Sequence, residues 1–370
     1  MPDNGGMNAW FQRLGLRLPI IQAPMAGAQD SALALAVTAA GGLGSLPAAT
    51  LSAPALRAEL ERLRAAAQGP YAVNFFCHTP PAHDPAREAA REAAREAARE
   101  AAWMARLAPH YHDAGLTPPD GPAVAARAPF DAAVAELVAA FRPPVVSFHF
   151  GLPAPELLAF VKSWGAVVLS SATTVEEARW LERHGADAII AQGLEAGGHR
   201  GMFLSDDLST QVGTMALLPQ VVRAVRVPVI AAGGIADARG VAAARALGAA
   251  AVQVGTAYLL CPEATPHPLH RAALQSPAAA HTALTNVFTG RPARGIVNHA
   301  MRALATGPLG WCADAPAFPL AAHGIAPLRA HAEAAGRDDW TPLWAGQAAP
   351  LCRPQPAAAL TQALAVGWPP

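Results

Sequence analysis

Lysine is all but missing from this chain: Lys162 is the only one in 370 residues, and arginine supplies nearly all the positive charge. Abundant Ala and Pro go with it, so the arginine excess reads as composition bias rather than as a binding feature. Net charge is missing too. Basic and acidic residues are equal at 27 each, which leaves no electrostatic footprint for nucleic acid. Cysteine is sparse. Cys77, Cys261, Cys312 and Cys352 stand far apart with no C-x-x-C pair, which argues against a disulfide framework or zinc site. Reduced thiols in a cytoplasm are the expectation. No stretch of about 18 apolar residues runs without a breaker, so no membrane span is expected. Residues 1–10 lack the basic start and apolar run of a secretory leader. There is no H-E-x-x-H, no Gly-x-Ser-x-Gly and no carboxylate cluster. Metal-assisted hydrolysis and serine nucleophiles therefore lose support, and no metal site is expected.

What is present is apolar and periodic. Hydrophobic residues make up 52% of the chain and charged residues 15%, enough for a large core and too apolar for global disorder. Short apolar runs alternate with helical stretches. Candidate strands fall at 19–22, 42–45, 71–74, 145–148, 166–169, 188–191, 229–232 and 251–254. Most are apolar on both faces, as buried parallel strands are when helices cover them. Candidate helices include 31–39, 54–66, 131–141, 174–184 and 237–247, with Thr174 and Asp237 at cap positions and Gly41, Gly185 and Gly248 at their ends. Eight strands joined by right-handed helical crossovers predict an α/β fold of the (β/α)8 (TIM) barrel type, for which about 250 residues is usual. An open, doubly wound sheet is the alternative.

Two regions exceed a minimal barrel. The first, residues 78–129, follows strand three and contains an Arg-Glu-Ala-Ala repeat over 87–100. Each Glu lies three before the next Arg, which supports an exposed, solvated helix. The second is the tail, 262–370, read as a helical cap or subdomain over a barrel of residues 1–261.

Catalytic groups of such a barrel sit at the C-terminal ends of its strands. Strand one is followed by Ala23-Pro-Met-Ala-Gly27, where Met25 can pack on a flat ring. Strand three ends at Asn74, an amide able to read a heterocycle edge. Strand four ends in Ser147-Phe-His-Phe-Gly151, which puts His149 between aromatics, where burial would favour the neutral base. Strand six runs into Gln192-Gly-Leu-Glu-Ala-Gly-Gly-His199. Gly197 and Gly198 permit unusual backbone angles and expose N–H groups, and His199 projects from that loop. Strands seven and eight deliver Gly233-Gly234 and Gln253-Val254-Gly255-Thr256, the pair of loops that usually holds phosphate in these barrels. Without a basic cluster there, backbone donors and Thr256 would do most of the binding.

Together, Pro19-Ile-Ile-Gln-Ala-Pro-Met-Ala-Gly27, Ser147–Gly151, Gln192–Gly201, Ala231–Ile235 and Gln253–Thr256 resemble the nitronate monooxygenase (2-nitropropane dioxygenase) family. Gly290-Arg-Pro-Ala-Arg-Gly295 and Trp344-Ala-Gly-Gln347 extend the likeness into the tail, so it spans nearly the whole chain outside the insertion. The resemblance implies non-covalent FMN, touched by Asn74, Gln192, Gly197, Gly234 and Gln253–Thr256. It also implies oxidation of alkyl nitronates by O2, with His149 and His199 as the two active-site histidines. Phe318 stands where a Tyr would be expected, and the insertion is unusual; both bear on substrate choice. Rival readings are an NAD(P)H-dependent flavin reductase of quinones or enoyl thioesters, a flavin-free isomerase or lyase that binds phosphate, and a non-catalytic flavin carrier. The expected partner is a small molecule, with no nucleic acid or membrane, and the protein a monomer or homodimer.

Overall fold

In the computed structural model the short apolar runs become the staves of a barrel. The structure describes residues 14–78, 88–120 and 128–369. Residues 1–13, which include the stretch 1–10 read for a leader, and parts of the insertion lie outside these. Strands β1 (Ile20–Gln22), β2 (Gly44–Pro47), β3 (Tyr71–Phe76), β4 (Val145–His149), β5 (Val167–Ala172) and β6 (Ala188–Gln192) pair in parallel. Two more staves, β8 (Val229–Ala232) and β9 (Ala251–Val254), follow a two-residue strand β7 (Gly198–His199) that lies outside the barrel. The sheet order β1-β9-β8-β6-β5-β4-β3-β2 is joined at its ends by a parallel bridge from Ile21 to Leu43. This is the expected (β/α)8 barrel, not an open sheet.

Alternation along each strand divides two cores. Ile21, Leu43, Ala72, Val145, Leu169, Ile190 and Ile230 fill the interior. Their neighbours Ile20, Val146, Val168, Ile189 and Ala231 face the helices. Burying a side chain of this size contributes about 1.5–3 kcal/mol. The helical layer comprises α1 (Ser31–Ala40), α2 (Ala53–Ala66), α4 (Ala132–Ala139), α5 (Pro155–Ser163), α6 (Val175–Arg183), α7 (Thr214–Ala224) and α8 (Ala238–Ala246). Thr174 and Asp237 cap α6 and α8 by accepting from Glu177 and Gly240 N–H groups. Gly41, Gly185 and Gly248 all end helices with left-handed φ, as a C-terminal glycine does.

The insertion helix α3 (Glu88–Asp113) leaves the described part of the repeat, residues 94–100, exposed or half-buried, as expected, and docks by the turns beyond it. Trp103, Leu107 and Tyr111, spaced at i, i+4 and i+8, are almost fully buried. They pack with the tail helices α10 (His299–Ala303) and α11 (Ala321–Ala334) into a separate core that includes Met301, Ile325 and Trp340. Trp103 and Tyr111 donate hydrogen bonds to the carbonyls of Ala321 and Gly324. The repeat supplies helix propensity, and the aromatic end supplies the docking face.

The tail forms more than a cap. Beyond α9 (Pro268–Leu274), strands β10 (Thr282–Thr285) and β11 (Ala293–Ile296) pair antiparallel, and β11 then pairs with β7. The last helix, α12 (Ala357–Ala365), returns to the barrel and packs on α1 and α8. Its Leu360 and Leu364 join the main core, and Tyr258 bonds Thr361 there at 2.8 Å. The expected boundary at 261 placed this helix in the cap, but it occupies the eighth position of the barrel's outer layer.

Candidate active site

A cavity of about 360 Å³ opens at the C-terminal ends of the staves. Strand ends deliver Asn74, His149, Gln192 and Gln253 to its wall, and the following loops deliver Met25, Gly197, Gly198 and His199. Gly233, Gly234, Gly255 and Thr256 line its other side. Of the residues the sequence assigned to catalysis or cofactor binding, Val254 alone is absent from the wall. The reason is strand period: Gln253 points inward, so Val254 turns out into the main core, and its carbonyl accepts from Ala23 N–H.

The loop after β6 is held from every direction. Arg200, fully buried, donates to the Gln192 and Gly193 carbonyls and to Gln211. Glu195 accepts from the N–H and hydroxyl of Thr214, at the start of α7. Strand β11 pairs Ala293 with His199 and Arg294 with Gly198. Gly197 lies so close to the tail that a Cβ would stand 2.5 Å from the Gly346 nitrogen, a distance that no side chain tolerates. That same Gly346 N–H donates to Thr256 Oγ1 at 3.0 Å, linking this loop, the tail and the last stave.

Within this frame the two histidines differ. The His199 carbonyl accepts from His149 Nε2–H at 3.2 Å and from Gln192 Nε2–H at 3.0 Å. A carbonyl cannot donate, so His149 carries its proton on Nε2, and its Nδ1 accepts from Ser171 Oγ–H at 3.1 Å. Burial, with the nearby positive charge of Arg291, pulls the His149 pKa down to about 3. The ring is therefore neutral near pH 7, as the sequence suggested. Both nitrogens of the ring are engaged by protein. The His199 ring points elsewhere: Nε2 lies 3.0 Å from Thr289 Oγ1.

Asn74 spends both N–H bonds on Ser147, at 2.9 Å to Oγ and 3.2 Å to the carbonyl, so it offers a ligand its Oδ1 acceptor. Gln192 takes Gly201 N–H on its oxygen at 2.7 Å. Its amide thus braces its own loop from both ends as well as lining the cavity.

Aromatic side chains crowd the second histidine. Around the His199 ring stand Phe318 (5.5 Å between centroids), Trp344 (5.6 Å), Phe150 (6.1 Å) and Phe76 (6.3 Å). Phe76 and Phe150 sit one or two residues past noted positions, and strand alternation was the available clue. Thr289, Phe318 and Trp344 arrive from the tail, where only folding brings them near. Arg329 and His267 also line the cavity, both beside the Glu333 carboxylate. Among the described residues, no group of three or more His, Cys, Asp or Glu is placed to hold a metal ion. None of the described helices is long and apolar enough to cross a membrane.

Comparison with known proteins by sequence gives one family. The family model described as nitronate monooxygenase matches residues 10–367. A nitronate monooxygenase of Paraburkholderia phytofirmans is 41% identical over 365 residues, covering 98% of this chain and 96% of that one. One from Pseudomonas aeruginosa is 42% identical, covering 95% and 96%. Among solved structures, a nitroalkane oxidase from Streptomyces ansochromogenes superposes with a TM-score of 0.82 at 39% identity, covering 97% of each chain.

Proposed function

The chain belongs to the nitronate monooxygenase family, and from that premise we propose that it binds FMN and oxidises alkyl nitronates with O2 to a carbonyl compound and nitrite. The family makes the chain an oxidoreductase acting on a small molecule; the flavin, the oxidant and the products are our reading.

The cavity fits the flavin chemically. A flat ring needs backbone at close range, and Gly198 and Gly255 carry no side chain into that space. Asn74 and Gln253 would read the ring edge, and Met25 would pack on its face. The left-handed Gly233 and Gly234 turn, together with Gly255 and Thr256, would take the phosphate. When bound, FMN supplies the redox chemistry, moving an electron from substrate to oxygen.

The protein's own part centres on His199. This imidazole would hydrogen-bond the anionic nitronate oxygens. From a neutral nitroalkane it would take the α-proton as general base. Thr289 orients the ring through Nε2, while His149 and Gln192 fix the backbone beneath it. The four aromatic rings keep water from the reacting carbon. The observation that carries the reading is this convergence: a histidine fixed at both backbone and ring, facing a cavity walled by glycine backbone.

An anaerobic spectrum tests it. Purified protein should absorb visible light, and a nitronate should bleach that absorbance while NADH leaves it unchanged. Bleaching by NADH alone would move the chain to the flavin reductases. Colourless protein that takes up no FMN would remove the flavin altogether.

A further inference from the structure

The loop Thr289-Gly-Arg291 places a second positive charge behind the aromatic wall. The Arg291 guanidinium lies 3.9 Å over the Phe150 ring, and that ring is 4.5 Å from His149 and 6.1 Å from His199. Phe150 holds this position with a φ of 71°, a left-handed angle rare for a bulky side chain. Arg291 donates to the Met202 carbonyl, but its Nε is buried with no partner. Among the described residues no carboxylate makes an ion pair with it. Glu177 and Asp206 act on it only at longer range, and Glu177 is already occupied by the Thr173, Phe203 and Leu204 N–H groups and the Thr173 hydroxyl. A guanidinium in such a setting keeps its charge and lacks a neutralising partner.

The field of that charge reaches the site. After burial, Arg291 is the largest influence disfavouring a proton on His149. An apolar ring does not screen a charge as water would, so whatever binds beside His149 and His199 meets a positive potential.

The geometry points to Arg291 as a specificity-determining residue: its charge, held without an ion-pair partner behind Phe150, selects the anionic form of the substrate over the neutral one. The inference rests on the nitronate reading above. Arg291 touches no reacting atom in this arrangement. It biases which protonation state of a small nitro compound is held.

The test compares charged and neutral ligands of similar shape on the FMN-loaded protein. Calorimetry gives Kd for nitrite and for neutral nitroethane, and steady-state rates give KM for ethyl nitronate. Arg291→Gln should weaken nitrite and ethyl nitronate about tenfold, the scale of one partly buried charge at several ångströms, and change nitroethane less than twofold. Arg291→Lys should recover most of the loss. Equal weakening of charged and neutral ligands, or a lysine variant no better than glutamine, would overturn the proposal. If Arg291→Gln does not fold, Asp206→Asn carries the test, since it removes an exposed counter-charge. Nitrite should then bind about twofold tighter, and unchanged affinity would overturn the idea. Failure of the unmodified enzyme to turn over any nitronate would strike the parent reading instead, and nitrite-against-nitroethane selectivity would still judge Arg291.

Discussion

Single residues divide the labour at the cavity mouth. His199 presents its ring and His149 holds the backbone that carries it. His199→Asn should keep FMN bound while turnover falls by about a hundredfold or more, the usual worth of a positioned proton-transfer group. Equal nitroalkane turnover in that variant would remove His199 as the base. His149 makes a different forecast. Its folded pKa of about 3 lies far below the ordinary value of 6.5, and burial likewise draws His270 down to about 4. Below pH 6.5 the unfolded chain takes up protons at these positions and the folded chain does not. Stability is therefore full above pH 6.5. It falls with acidification by up to about 1.4 kcal/mol per pH unit for each histidine, until the folded pKa is reached. Denaturant midpoints between pH 7 and pH 4 should show that slope, and His149→Gln should flatten part of it. An unchanged slope would mean that other groups govern acid sensitivity.

At the level of elements, the insertion helix and the tail stand or fall together. Leu107 is fully buried between α3 and α11, so Leu107→Ala should cost about 2–5 kcal/mol of cap stability. A urea titration followed by tryptophan fluorescence, with Trp103 and Trp340 in that core, should report it. A shift smaller than 1 kcal/mol would show α3 to be loosely docked. This docking also marks where sequence reasoning ends. The eight staves were legible because buried parallel strands are short, apolar runs bounded by turns. The start of β2 slid by two residues, since Gly42-Leu-Gly-Ser45 offers no side-chain period. Its pairing begins at Gly44, where a Cβ would stand 2.0 Å from the Ala34 carbonyl of α1. The strand ends that line the site were legible for the same reason as the staves. The small sheet of β7, β10 and β11 was not. Its strands are two to four residues long, and His199 pairs with Ala293, so no local pattern announces it. Thr289 was hidden by that same separation in sequence, while Phe318 and Trp344 were noted only through the family resemblance. The Arg-Glu-Ala-Ala repeat misled in the other direction, because its solvated period drew attention from Trp103, Leu107 and Tyr111 just beyond.

For the whole molecule, the return of α12 is the controlling feature. Leu360, Leu364 and Thr361 lie in the barrel's core layer, with the Tyr258–Thr361 bond sealed beneath them. Deleting residues 357–369 should therefore do more than trim the cap. We expect loss of the cooperative thermal transition and of FMN retention, read by calorimetry and visible absorbance. A truncated protein with an unchanged melting profile would show that seven helices suffice. The arrangement also orders events in time. A ribosome makes the last stave at Ala251–Val254 but does not make its covering helix until about a hundred residues later, after every strand and helix of the tail. Until then the seam beside α1 and α8 is bare and apolar, a surface on which a chaperone can bind and two nascent chains can stick. The segment that grips His199 is thus made before the helix that seals the barrel, so the cavity mouth can be assembled on a cylinder whose outer layer is still incomplete.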